Sequence, residues 1–104
     1  MRRLFAVIRS HGPAWDESRP LEKQADWPAH VIFMNALAAE GFVVVGGPLD
    51  GTEDTLLIIS AEHEDEIRRR LASDPWSRGM LRLGRIAPWS LRLGEHRLAG
   101  GDRN

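Results

Sequence analysis

The chain has no cysteine among its 104 residues. That absence excludes disulfides, thiolate nucleophiles and cysteine-based metal sites, and it suits a reducing cytoplasm, where we expect the protein to reside. An excess of either charge is also missing: 14 Lys and Arg against 15 Asp and Glu leave a net charge of −1. Nucleic-acid surfaces are usually basic, so no nucleic-acid partner is expected. No stretch approaches the roughly 20 apolar residues that cross a bilayer, so no membrane partner is expected either. Met1–Ile8 carries two arginines and a short apolar run, like the start of a signal peptide. The run stops at Arg9, too short for a signal core, and reads better as a first strand. The length fits one domain, placed at residues 1–94, with a polar, Gly-rich flexible tail at 95–104.

What is present is a regular alternation of patterns. Leu4–Arg9 is a short apolar strand, and Ser10–Pro20, with Gly12, Pro13 and Pro20, is a loop. Trp27, Val31, Met34, Leu37 and Ala38 recur at spacings of three and four, which predicts a helix over 27–40. Asp26 is placed to cap it, Pro28 is tolerated in its first turn, and Gly41 ends it. Phe42–Val45 is a second strand, closed by Gly46-Gly47-Pro48. Thr55–Ser60 is a third, joined to the second by the Asp50-Gly51 turn. Glu62–Ala72 is a second helix, acidic at its start and basic at its end, with Glu64–Arg68 and Glu66–Arg70 as pairs four apart. Its arginine run therefore reads as a solvated helix face. Met80 to about Leu93 is a fourth strand, in which Leu81, Leu83, Ala87, Trp89, Leu91 and Leu93 share one parity. Arg85 interrupts that face and Pro88 limits pairing, which predicts a bulge or an edge position there.

The order β-α-β-β-α-β is the split pattern of a ferredoxin-like α+β domain: a four-stranded antiparallel sheet with two helices on one face. Strands two and three are apolar at both parities, so the bare face also seeks burial. A second copy packed face to face is the simplest cover, and a homodimer is expected.

This topology also collects residues distant in sequence. With strand one running up, the upper end gathers Arg9 and Ser10, the start of helix one with Trp27 and His30, and Gly46-Gly47-Pro48. It also gathers Ser73-Asp74-Pro75-Trp76. His30 and Asp74 are thus expected neighbours. A carboxylate on one imidazole nitrogen fixes the tautomer and leaves the other nitrogen for proton transfer. The same contact would equally satisfy a structural histidine, and the sequence leaves both roles open. Trp27, Met34 and Trp76 would shape an apolar pocket, Gly47 and Pro48 would let a ligand approach the backbone, and the helix N-terminus would favour an anionic group. His11 in the first loop, His63 and His96 are weaker candidates, and no metal or cofactor is expected. Ser73 has no nucleophile elbow around it. Arg85 is read as turned to solvent by a bulge, the alternative being an anion contact.

Several stretches together resemble the YCII-related (YciI-like) family. They are His11-Gly12-Pro13-Ala14-Trp15-Asp16, Trp27-Pro28-Ala29-His30 with Phe33-Met34, Gly41 to Leu49, Leu71-Ala72-Ser73-Asp74-Pro75-Trp76, and Ile86-Ala87-Pro88-Trp89. The resemblance spans about residues 4 to 93. It implies a dimeric α/β-barrel fold and an active site on a His-Asp pair, which falls on His30 and Asp74. The wider superfamily includes small-molecule isomerases, lyases and oxygenases, ring-degradation enzymes among them. The expected function is a proton-transfer enzyme of lyase, isomerase or hydrolase type. A non-catalytic small-ligand-binding protein and a structural dimerisation module are the alternatives.

Overall fold

A computed structural model describes residues 1–94; the expected tail at 95–104 lies outside the described residues. The elements follow in the order β1 (Arg3–His11), α1 (Trp27–Ala39), β2 (Val43–Pro48), β3 (Asp54–Ala61), α2 (Glu64–Leu71) and β4 (Leu81–Pro88). Two single 3-10 turns, Leu21–Lys23 and Pro75–Arg78, precede α1 and β4. The sheet is antiparallel with the order β2-β3-β1-β4. This is the expected ferredoxin-like α+β fold. Among the described residues no helix is long and apolar enough to cross a membrane.

Alternation along β1 explains the layering. Phe5, Val7 and Arg9 are buried while Leu4, Ala6, Ile8 and Ser10 are half-buried. Phe5 and Val7 pack with Leu57 and Ile59 of β3, Leu37 of α1, and Ile67 and Leu71 of α2, so both helices cover one face. A second cluster, Trp76, Met80 and Leu81 with Trp15, Leu21 and Trp27 against it, fills the end where α1 begins. The opposite sheet face carries Leu4, Ala6, Ile8, Leu56, Ile58 and Val45, with Val45 49% exposed.

Several boundaries differ from expectation for identifiable reasons. β1 continues to His11, so His11 belongs to a strand and not to the first loop. β2 runs through Gly46, Gly47 and Pro48 instead of stopping at Val45. It is an edge strand, paired only with β3, so a proline without an N–H is tolerated. β4 stops at Pro88, and its single parity is broken by a register shift opposite Val7–Arg9. Leu81 and Leu83 therefore face the helices before the bulge and Ile86 after it, while Ala87 changes face and Arg85 is exposed. Asp26 occupies the cap position of α1 but makes no side-chain cap bond; its backbone sits in the left-handed region at φ 63°. Gly41, at φ 84°, ends α1 as expected. In α2 the Glu64–Arg68 pair forms at 2.8 Å, but Arg70 leaves Glu66 for Glu40, at 2.8 Å, and lies over the Phe42 ring. That choice ties the end of α2 to the end of α1.

Candidate active site

Asp74 is the centre of the cluster. It follows α2, and Pro75 forces it into extended backbone, so its side chain turns back under the next turn. One carboxylate oxygen, Oδ1, accepts the Trp76 backbone N–H at 2.9 Å. The other, Oδ2, accepts from Arg9 Nη1 at 2.9 Å. His30 Nδ1 lies 2.9 Å from both oxygens. The Asp74 side chain is fully buried, Arg9 is 2% exposed and His30 13% exposed. Burial pushes the Asp74 carboxyl up, but the His30 hydrogen bond, the Trp76 N–H and the Arg9 and His30 charges together outweigh it. The carboxyl is held below its ordinary value.

An ionised Asp74 only accepts, so His30 Nδ1 carries the hydrogen in this contact. Nε2 is left as the free ring nitrogen, and no bond from it to the protein is found among the described residues. The ring stacks on Trp76 at 3.9 Å and 10°. Trp76 is itself fixed by its Nε1–H, which donates to Ala25 O at 2.6 Å. Position comes from α1, where His30 closes the first helical bond, its N–H donating to Asp26 O.

A cavity of about 430 Å³ opens between α1 and strands β2 and β3, beside this cluster. Its size is that of a small-molecule site. The structure brings all the expected site residues to it except Asp74, which lies behind His30: Trp27, His30, Met34, Gly47, Pro48 and Trp76 border it. Its lining is mainly apolar. Arg85 does not border it. Arg9 and Asp74 cancel in charge, and Asp26 with Pro28 occupies the start of α1. These features give no support to the expected anionic preference of the helix N-terminus.

Sequence reasoning gives too little weight to three residues of this end, Arg9, His11 and Trp15. It places Arg9 at the end of strand one without joining it to Asp74, although its burial follows from its parity with Phe5 and Val7. His11, taken for a loop residue, borders the cavity and stacks on Trp15 at 3.8 Å. Trp15 in turn meets Trp76 edge-on at 5.4 Å. A donor set also gathers away from His30: one ligand atom each of His11, Glu17 and Glu53 lies within 4.8 Å of the others.

No family model matches the chain, and no curated protein matches it by sequence. Among solved structures it is similar to 5-chloro-2-hydroxyhydroquinone dehydrochlorinase (TftG) from Burkholderia phenoliruptrix AC1100, determined in complex with 2,5-dihydroxybenzoquinone. The two share 24% identity over 89% of this chain and 97% of that one, with a TM-score of 0.57. The likeness is one of fold.

Proposed function

We propose that this chain is a YciI-like small-molecule enzyme in which His30 moves protons through Nε2 and Asp74 orients it. The observation that carries the reading is the His30 ring, anchored at Nδ1 by a buried carboxylate while the ring borders a cavity. A histidine serving only to tie α1 to the turn after α2 would have no need of a cavity beside it. The His30 hydrogen bond, the Trp76 N–H and Arg9 together keep Asp74 ionised, Arg9 also balancing its charge, and Trp27, Met34 and Trp76 form apolar walls suited to a flat ring.

Small hydroxylated ring compounds, chlorinated ones included, are the substrates we propose. The support is the aromatic lining and the fold shared with a chlorohydroxyhydroquinone dehydrochlorinase. The test is chloride release from 5-chloro-2-hydroxyhydroquinone, together with turnover of a lactone panel. His30→Gln should lower kcat by roughly 100-fold or more with little change in KM, the loss typical of a missing proton-transfer group. Binding of 2,5-dihydroxybenzoquinone with no turnover of any compound would instead favour a binding protein. We also propose a homodimer through the outer sheet face, in the cytoplasm.

A further inference from the structure

We propose that His11 is a second proton-transfer residue of the same cavity, acting as acid opposite His30; the proposal rests on the reading of His30 as base. His11 and Arg9 are two residues apart on β1, with Leu81 and Leu83 as their partners, so both side chains project to the helix side. That spacing is about 7 Å along the strand. Arg9 reaches Asp74 and through it His30, whereas His11 stands one step nearer the loop. The two histidines sit at the ends of one aromatic series, His11 on Trp15, Trp15 against Trp76, and Trp76 on His30. Both histidines border the same cavity.

The two imidazoles are held differently. His30 is locked by a carboxylate. His11 Nδ1 is buried without a hydrogen-bond partner among the described residues, and Glu17 Oε2 stands 3.6 Å away, beyond bonding distance. The charged groups around His11 are the carboxylates of Glu17 and Glu53, Asp54 on β3, held by Ser10, and Arg82 on β4, whose Nη2 donates to His11 O at 3.5 Å.

Loss of HCl from a chlorinated trihydroxybenzene can use a base and an acid together. In the first half, the base takes a ring O–H proton and the C=O forms. The displaced ring electron pair takes a proton from the acid at the neighbouring carbon that bears chlorine. In the second half, another ring O–H proton passes to the imidazole that has just given one up, a second C=O forms through the ring, and chloride leaves with the C–Cl pair. The product is a hydroxyquinone, and no oxidant is consumed. The base on an oxygen and the acid at a carbon of the same ring are the roles proposed for His30 and His11, which border one cavity.

The test follows the imidazole proton signals of the whole chain by NMR during titration with 2,5-dihydroxybenzoquinone, and chloride release from 5-chloro-2-hydroxyhydroquinone against pH. We expect the ligand to shift both the His11 and His30 signals. His11→Gln should lower kcat by roughly 100-fold and remove one limb of the pH profile, with the His30 signal and the melting temperature retained. A ligand that shifts His30 but not His11, or unchanged chloride release in His11→Gln, would overturn the proposal and leave the His30 reading standing. A silent His30, or no binding and no chloride release at all, would overturn both. A zinc or manganese titration that shifts His11 and raises the melting temperature, lost in Glu17→Gln, would overturn it too and give His11, Glu17 and Glu53 to a cation.

Discussion

Asp74 receives a guanidinium, an imidazole and a backbone N–H within a region that excludes water. Each partner satisfies the others only while the carboxylate is charged. Asp74→Asn keeps the shape but strands Arg9, 2% exposed, without a countercharge, and should cost about 3–5 kcal/mol in urea unfolding. Replacing both, Arg9→Met with Asp74→Leu, should cost clearly less than the sum of the singles, a coupling that a double-mutant cycle measures. The same carboxylate sets a pH dependence. Its folded value lies below the ordinary carboxylate value, so the native state gains from its ionisation. That gain is complete above about pH 4, the unfolded value. It is lost as pH falls through the folded value, because protons then bind both states. Unfolding free energy should therefore fall more steeply below pH 4 in the wild type than in Asp74→Asn. Equal slopes would mean that Asp74 is not the group being protonated.

Among the elements, the junction of β1 with the loop after it depends on one glycine. Gly12 N–H donates to Met80 O at 2.8 Å and Ala14 N–H to Gly79 O at 2.9 Å, which brings two backbones together beside the cavity. A Cβ at Gly12 would meet Gly79 O and come within 2.9 Å of Gly79 C. Backbone cannot step aside as a side-chain tip can, so Gly12→Ala should destabilise by about 1–3 kcal/mol and perturb the His11–Trp15 stack. Thermal unfolding and tryptophan fluorescence would record both effects. Gly12 shows what pattern alone could and could not carry. Its place in a loop is plain from Gly12-Pro13, but the Gly79 backbone that it meets lies 67 residues further along the chain, and no local period reports such an approach. The same holds for the site. A short apolar run places β1, spacings of three and four place α1, the acidic-to-basic charge order places α2, and the βαββαβ order then puts His30 beside Asp74. Arg9 escaped because an arginine ending an apolar strand looks solvated until its parity with Phe5 and Val7 is followed into the core. In β4 the bulge at Gly84-Arg85 reversed the parity on which the face assignment depended. β2 outran its expected end because an edge strand asks nothing of the Pro48 nitrogen.

For the molecule as a whole, the open question of architecture is the sheet face away from the helices. Leu4, Ala6 and Ile8 of β1 lie opposite Ser60, Ile58 and Leu56 of β3, and Val45 beside them is 49% exposed. Trp89, 38% exposed, adds a large ring next to Leu4, whose carbonyl accepts its N–H. An antiparallel sheet with one solvated face shows polar residues there in alternation; here aliphatic groups fill the middle of the face, with Ser60 and the Ser10–Asp54 pair only at its ends. Two such faces packed about 10 Å apart would bury both sets of aliphatic groups, each methylene contributing about 0.8 kcal/mol. Sedimentation equilibrium at micromolar concentration should return twice the chain mass. Ile8→Glu places a charge at the middle of that face without touching the helix side, where Phe5, Val7 and Arg9 project. Its expected result is a folded monomer by sedimentation and circular dichroism. The wild type sedimenting as a monomer would refute the dimer and leave the apolar face to be explained otherwise. A monomeric Ile8→Glu that keeps wild-type chloride release would show that the cavity between α1 and β2 is complete within one chain. Loss of activity on dissociation, with the fold retained, would mean that the pairing of the sheets holds α1 and β2 at the distance the ring substrate needs.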